Sequence, residues 1–353
     1  MRRLMVLFFF LACALAFGQD MTVGAMAPPP KPVLGPHLKP LGTVIFQQRV
    51  RYPANGVTKI EVWNTVPPET ATQKNVKIVS AQLHSLDGTP VPEGAVQRYD
   101  VPLLGSEGQV PGFVLVWKGK DGDTSLSRGV YVDIQYSCEM YAATVPQTDG
   151  PERPGGEYLL ATKYMDFSAP SSGLRSFLGG LPLGVGTNSL ELDAAAMRSI
   201  AQVGYVKKAT SASNAFGGTD CLGKSSLLGS ALRKAGVPTR TIMGHLIRPD
   251  TLQMDQHTRV ERLFRGWWLP VEPTDVLSAQ QPQSFIGTNG KTSYHFFTLH
   301  FGAGLAGTFV DQDQQTHKLD VLGLQWSFIR LSGPKGASTN ASGIQKDWRV
   351  MAG

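Results

Sequence analysis

Three residues of this chain have the types and the spacing of a thiol-based catalytic group. Cys221 stands in GGTDCLGKSSLLGSALRKAGVP, after a glycine turn and at the start of an apolar run with helical periodicity. His257 follows in HTRVERLF, and Glu272 follows in WWLPVEPT. A thiol is a nucleophile as its thiolate, which a helix N-terminus or a neighbouring imidazolium stabilises. The set therefore predicts a cysteine nucleophile, a histidine base and a carboxylate that orients the histidine.

A helix is predicted to carry Cys221 in its first turn. Either Thr219 or Asp220 can cap it, and Gly236 followed by Pro238 marks its end. Its apolar stripe comprises Leu222, Leu227, Leu228, Ala231, Leu232 and Ala235. The positive end of the helix dipole would favour a thiolate at this position. A buried cysteine without any catalytic role would give the same local pattern.

The histidine and the carboxylate fall on one predicted β-hairpin that turns at Arg265-Gly266. In that register Arg259 lies opposite Glu272, and His257 lies two residues further along the same face. His257 and Glu272 then form a diagonal cross-strand pair within side-chain reach. Asp275, the other nearby carboxylate, would face the opposite side, so the pairing favours Glu272.

The first 18 residues, MRRLMVLFFFLACALAFG, have the charged start, apolar centre and small-residue exit of a secretory signal peptide. We therefore expect an exported protein, periplasmic or extracellular, cleaved near Gly18. No later apolar run is long enough to span a bilayer. Two cysteines would remain after cleavage, Cys138 and Cys221, and a structural disulfide between them is an open alternative.

The formal net charge is +6, and no dense Lys/Arg cluster remains after residue 18, so nucleic acid is not expected as a partner. The histidines fit no zinc spacing and no calcium-loop pattern occurs, so neither a metal nor a cofactor is expected. Residues 43–145 consist of short alternating apolar segments between turns, which predicts an all-β sandwich. A helix is expected over 189–205, beginning at the Ser189 cap.

The chain is therefore divided into six parts. They are a signal peptide (1–18), a proline-rich lead-in (19–42), a β-sandwich domain (43–145), a linker (146–157), a core domain (158–305), and C-terminal strands with a loosely ordered tail (306–353).

Three motifs in order, GTDCLGKSSLLGSALRKAGVPTRTIMGH, HTRVE and WWLPVEPT, resemble the core of the transglutaminase-like superfamily. That family has G-x-C at the head of a helix, then R-x-x-G-[IV]-P-x-R, H-A-W-V-E and W-x-x-[VI]-D-P-T. The resemblance covers about residues 189–300 and is specific over 217–275. It implies an α+β, papain-like core in which the cysteine-bearing helix packs on an antiparallel sheet, here preceded by the β-sandwich domain.

Carried over, the resemblance makes Cys221 the nucleophile, His257 the base and Glu272 the third member of a triad. Such an enzyme would act on amides of a protein or peptide substrate by acyl transfer, ending in hydrolysis or cross-linking. The backbone N–H of Cys221 would be one oxyanion donor, and Tyr205 or Asn214 could supply a second. The sequence assigns no partner to the β-sandwich domain.

Two departures from the family pattern support an alternative. Glu272 replaces the family aspartate, and Arg259 replaces the tryptophan that follows the histidine by two positions. A salt bridge between Arg259 and Glu272 would compete with His257 for the carboxylate. The alternative is a catalytically inactive binding or assembly module that keeps the fold.

Overall fold

Strands outnumber helices in the computed structural model of this protein. It describes residues 34–89, 91–92, 94–119, 124–247, 254–274, 295–303, 305–321, 327–334, 338–339 and 345–351. The strands are β1 Leu38–Asn55, β2 Lys59–Thr65, β3 Gln73–His84, β4 Val96–Gly105, β5 Gly108–Lys118, β6 Gly129–Ala143, β7 Thr239–Ile247, β8 Met254–Phe264, β9 Trp267–Val271, β10 His295–Phe301, β11 Leu305–Val310, β12 Thr316–Val321, β13 Ser327–Ser332, β14 Ser338–Thr339 and β15 Gln345–Met351. The α-helices are α1 Ser172–Gly179, α2 Glu191–Ile200 and α3 Cys221–Lys234.

The strands form three sheets. Sheet I has the order β14-β1-β6-β3, with β15 also paired to β1. Sheet II has the order β12-β11-β4-β5-β2-β13, and sheet III has the order β10-β7-β8-β9. All the strand pairs are antiparallel, and sheets I and II each combine strands from both ends of the described chain. The division of the chain at residues 146–157 stays a prediction.

One apolar cluster takes residues from both sheet I and sheet II. Phe46 and Ile134 contribute from sheet I, and Val62, Phe113 and Trp117 contribute from sheet II. Strand β6 alternates buried and partly exposed residues over most of its length, as a strand does when one face covers a core. The alternation of apolar and polar residues that predicted strands in this region therefore matches the alternation of buried and partly exposed side chains.

The prediction that the end of the chain is loosely ordered is wrong for Gln345–Met351. These residues form β15, which pairs with β1 from Ile45↔Met351 to Arg51↔Gln345. Trp348 is buried, and its ring centroid lies 4.1 Å from that of His245 on β7. Trp348 thus anchors this strand beside sheet III, and Val350, two residues on, packs against the cluster shared by sheets I and II.

Helix α3 packs on sheet III through the predicted apolar stripe. Leu227, Leu228 and Leu232 share a core cluster with Val260 and Leu269 from the β8–β9 hairpin. Helix α2 is shorter than the expected span 189–205. It ends at Ile200. The chain then turns, and Tyr205 forms a parallel bridge with Thr219 just before α3.

The turn between β4 and β5 reaches into the region of sheet III. Glu107 forms an ion pair with Arg233 near the end of α3, and both side chains are buried. The Ser106 hydroxyl accepts a hydrogen bond from the Ala303 N–H at 2.8 Å. Sheet II is therefore joined to the helix that begins with Cys221 by a buried charge pair, which is costly to break on one side only.

Within the described residues, no helix is long and apolar enough to cross a membrane.

Candidate active site

Helix α3 begins at Cys221, and Asp220 is its cap. The Asp220 carboxylate accepts hydrogen bonds from the backbone N–H groups of Leu222 at 3.0 Å and Gly223 at 3.4 Å. Of the two caps that the sequence allowed, the structure therefore uses Asp220. Cys221 is 3% exposed, so the helix start that carries the thiol is buried.

Gly223 is required by close packing around the helix start. A Cβ at this position would lie 1.9 Å from Thr219 Oγ1 and 2.5 Å from Thr210 Oγ1. These two hydroxyls are hydrogen-bonded to each other at 2.7 Å. The threonine pair thus fixes the strand-like segment before Cys221 against the first turn of α3.

The β8–β9 hairpin has the predicted turn and register. Arg265 and Gly266 have φ values of 50° and 71°, and two positive φ values are the signature of the type I′ turn that matches strand twist. The ladder runs from Phe264↔Trp267 to Val260↔Val271. An arginine in the left-handed region is unusual, and the glycine beside it carries none of the steric penalty.

His257 and Glu272 meet across this hairpin. His257 Nε2 lies 2.7 Å from Glu272 Oε2, and the other carboxylate oxygen accepts the Thr274 N–H at 2.8 Å. The two side chains are 12% and 16% exposed. The diagonal pair predicted from the turn is therefore a hydrogen-bonded ion pair when His257 is protonated.

The surroundings of His257 favour its charged form. Burial alone would lower the pKa of His257, but the Glu272 carboxylate and a hydrogen bond with the Cys221 side chain raise it to about 10. Burial alone would raise the pKa of Glu272, but the opposing charge and hydrogen bond of His257 bring it below its ordinary value. Cys221, His257 and Glu272 are thus brought together, with the histidine in contact with both partners.

Arg259 does not take the carboxylate of Glu272 in this structure. Its Nη2 donates to Thr72 Oγ1 at 3.3 Å, and its guanidinium carbon lies 4.3 Å from the centre of the Phe296 ring. Burial lowers the pKa of Arg259 to about 10, while the charges of Glu261 and Glu272 act in the opposite direction. The competition anticipated from the sequence is decided in favour of His257.

Cys138 and Cys221 are both free thiols, so the disulfide alternative is wrong. Cys138 lies on β6 in the cluster shared by sheets I and II, with its sulfur 3.4 Å from that of Met140. Burial raises the pKa of Cys138 to about 12, which makes it an unreactive thiol.

The two candidate side-chain oxyanion donors differ in position. The Asn214 amide donates to Ser211 Oγ at 3.1 Å within its own turn. Tyr205 is 55% exposed; burial raises the pKa of its phenol, and the negative charges of Cys221 and Asp220 raise it further. The phenol of Tyr205 is therefore within electrostatic reach of the thiol.

Some residues near the site were not singled out from the sequence. Lys224 lies one turn after Cys221 and is 1% exposed; burial lowers its pKa and the charge of Glu272 opposes that change. Its signal was a lysine within an apolar helix. Thr72 and Phe296 approach from segments far along the chain and carried no local signal. In the described parts of the chain, no group of three or more His, Cys, Asp or Glu side chains could hold a metal ion.

Comparison with known proteins assigns a family to this region. Residues 196–273 match the family model of the transglutaminase-like superfamily. No curated protein sequence matches the chain. A solved structure from Cytophaga hutchinsonii, described as a "putative cysteine protease", superposes with a TM-score of 0.51 at 12% identity, covering 90% of this chain and 93% of that one.

The periplasmic domain of TgpA from Pseudomonas aeruginosa is also similar, with a TM-score of 0.31 and 11% identity, covering 69% of this chain and 91% of that one. The family match ends at Pro273 and includes the α3 helix and the hairpin with its three clustered side chains. Residues 196–273 of this chain, within a mostly β structure of transglutaminase-like fold, therefore belong to the transglutaminase-like superfamily.

Proposed function

We propose that this protein is a cysteine enzyme that transfers acyl groups from protein or peptide amides. Cys221 is the nucleophile, His257 is the general acid and base, and Glu272 orients and charges the histidine. The observation that carries this proposal is that His257 contacts Glu272 at 2.7 Å and hydrogen-bonds the Cys221 side chain.

Before acylation the proton of the Cys221–His257 pair resides on His257, which gives a thiolate beside an imidazolium. The sulfur attacks the carbonyl carbon of the amide, and the carbon–nitrogen bond breaks as His257 gives its proton to the leaving amine. The products are a thioester on Cys221 and a free amine. Glu272 stays ionised throughout, because its role is to stabilise the imidazolium.

Deacylation requires a second nucleophile. His257 takes a proton from water or from an incoming amine, the oxygen or nitrogen attacks the thioester, and the thiol is released. Water gives hydrolysis and an amine gives cross-linking. The oxyanion is expected to accept hydrogen bonds from the Cys221 backbone N–H at the helix start and from the Tyr205 phenol.

Finer features of the fold belong to the same proposal. The helix on sheet III would be a papain-like core, and sheets I and II, which share one apolar cluster, would be the β-sandwich domain. Export rests on the signal-like residues 1–18, which lie outside the described residues.

A catalytically inactive binding module is the second candidate. It is favoured by the 3% exposure of Cys221, since a substrate amide must reach the sulfur for catalysis. The two candidates differ in one measurable property, the reactivity of the thiol in the folded protein.

The test is the rate of iodoacetamide labelling at pH 6–7, with the modified residue identified by mass spectrometry. We expect Cys221 to react at least about tenfold faster than free cysteine, because the thiolate is stabilised beside an imidazolium. Replacing His257 by Ala should remove the excess rate, while replacing His84 by Ala, a histidine at the far end of β3, should not. A wild-type rate no faster than that of free cysteine would reject catalysis in favour of the binding module.

A second measurement decides the reaction. Peptides released or joined by the wild-type protein, with and without an added primary amine, distinguish hydrolysis from cross-linking. Cys221→Ala should show neither product, and a product that persists in this variant would reject Cys221 as the nucleophile.

A further inference from the structure

Two cationic side chains lie within reach of one carboxylate at this site. The ladder ends at Val260↔Val271, and the same register continued by one position puts Arg259 opposite Glu272, with His257 as the diagonal neighbour. A guanidinium binds a carboxylate through two parallel hydrogen bonds, which an imidazolium cannot match. Arg259 would therefore be the stronger partner if nothing held it elsewhere, yet Glu272 is bonded to His257.

The structure shows what holds Arg259 elsewhere. Its guanidinium donates to Thr72 Oγ1 and lies over the face of Phe296. The ring quadrupole attracts a cation that lies over its face, and the attraction is strongest where water is excluded. Arg259 is 8% exposed, so water competes little with either contact.

The side chain of Gln73 joins the segment that carries Thr72 to the strand that carries Phe296. Its Nε2 donates to the Thr298 carbonyl at 2.9 Å, and its Oε1 accepts the Thr298 N–H at 2.9 Å. The amide thus pairs with β10 as a neighbouring strand would, beside a register shift at Thr298/His300. Phe296 lies two residues earlier on β10, so the dipeptide Thr72-Gln73 fixes both contacts of Arg259.

The same ring also faces the histidine. The Phe296 centroid lies 6.2 Å from that of His257, with the rings at 63°. One face of the ring is thus taken by the guanidinium while the imidazole packs against the ring edge-on. Movement of Phe296 would loosen both cations at once.

We propose that Thr72, Gln73 and Phe296 are positioning residues that hold Arg259 away from Glu272 and thereby reserve that carboxylate for His257. The proposal rests on the proposed function, because its consequence is a change in the reactivity of Cys221. A segment at the start of β3, on sheet I, then forms part of the site on sheet III. The departure of the chain from the family tryptophan at Arg259 is compensated by residues outside the family core.

Among the described residues, four ionisable groups face the His257–Glu272 pair and would interact with the charge of a released Arg259. They are Cys221 and Asp220 at the helix start, Lys224 on α3, and Glu261 on β8. A guanidinium bound to Glu272 would remove the counter-charge of the His257 imidazolium. Cys221 would then have a less stable imidazolium beside it, and its sulfur would react more slowly.

The test is a double-mutant cycle on Thr72 and Arg259, read by the iodoacetamide rate of Cys221 at pH 6.5. Thr72→Val keeps the side-chain volume and removes the hydroxyl, and it should slow labelling by about tenfold. With Arg259→Gln already present, adding Thr72→Val should change the rate by less than about twofold, because no competing guanidinium remains. A purely structural role for Thr72 would slow labelling equally in both backgrounds, and that outcome would overturn the proposal.

Two control variants separate this effect from damage to the fold. Thr72→Ser retains the hydroxyl and should label at the wild-type rate. Thr298→Val removes a buried hydroxyl that has no hydrogen-bond partner among the described residues, and it should change the rate by less than about twofold. A tenfold loss in Thr298→Val would show that any buried hydroxyl in this region matters, and it would count against the proposal.

The second readout does not depend on thiol reactivity. The pKa of His257, followed by NMR of labelled histidine, should fall in Thr72→Val and should not fall when Thr72→Val is combined with Arg259→Gln. If wild-type Cys221 labels no faster than free cysteine, the proposed function fails, while this titration still decides whether Thr72 keeps Arg259 from Glu272. An unchanged pKa of His257 in Thr72→Val would overturn the inference.

Discussion

Replacing Glu272 by Gln should lower the pKa of His257 by about two units and flatten the dependence of stability on pH. Two opposite charges 2.7 Å apart attract by about 6 kcal/mol at an effective dielectric constant of about 20. Partial exposure of both side chains and their lost solvation offset about half of this attraction. The remaining 3 kcal/mol or so corresponds to about two pKa units.

The sign of the effect on stability follows from the raised pKa. His257 keeps its proton to about pH 10 when folded, whereas an unfolded histidine loses it near pH 6.5. The stability that this proton contributes is complete below about pH 6.5 and is lost as the pH rises toward 10. In Glu272→Gln this loss of stability should be confined to about pH 6.5–8, and it should be smaller.

The assay combines the NMR titration of His257 with urea unfolding at several pH values between 6 and 10. Glu191→Gln is the matched control, since Glu191 is exposed at the start of α2. It should leave both the titration and the pH profile unchanged. A shift of less than about half a unit in Glu272→Gln would refute the assignment of Glu272 as the partner that charges His257.

Three further predictions concern the supports of the site. Gly223→Ala should destabilise the protein by about 3 kcal/mol in urea unfolding, because the added Cβ has no room. The control Gly217→Ala, whose Cβ meets nothing within 4 Å, should lose less than about 1 kcal/mol. Equal losses in the two variants would contradict this account. Asp193→Asn should lose about 3–5 kcal/mol, since it leaves the buried Arg262 unpaired, and Asp193→Leu with Arg262→Met should recover part of that loss. A double variant no more stable than Asp193→Asn would refute the charge-pair explanation. Gly266→Ala should lower the free energy of unfolding by about 2 kcal/mol and slow thiol labelling, because Gly266 has φ 71° and its Cβ would lie 2.4 Å from the Gly150 carbonyl oxygen. A wild-type labelling rate in this variant would show that the turn does not position His257 and Glu272.

Local sequence patterns predicted the parts of the site that are formed by neighbouring residues. The Arg265-Gly266 turn determines the β8–β9 register, and the register determines which carboxylate meets His257, so the pair followed from counting residues. The helix at Cys221 followed from its apolar spacing and a capping residue before it. In both cases the interactions span fewer than about 20 residues, and the pattern itself carries the geometry.

The parts that the sequence did not predict depend on docking between distant segments. Nothing around Thr72 indicates that its hydroxyl meets Arg259, and nothing around Glu107 indicates that it pairs with Arg233. The strand at Gln345–Met351 was missed because its two core-facing apolar residues, Trp348 and Val350, share their face with Lys346, and because the edge that it joins belongs to distant β1. Such contacts are set by how whole sheets meet, which residue spacing does not encode.

The pairing of β15 with β1 has a consequence for how the chain is made. Ile45 is synthesised before its partner Met351, which leaves the ribosome only after all the residues between them. Sheet II also cannot be completed until the later strands are made, because β13 pairs with β2 and β11 pairs with β4. Pairings of such long sequence separation form slowly. Until they form, the unpaired edges of β1, β2 and β4 can pair with other chains. The vulnerable state of this protein is therefore the nascent chain, whose early strands must be kept from aggregating until the late strands arrive.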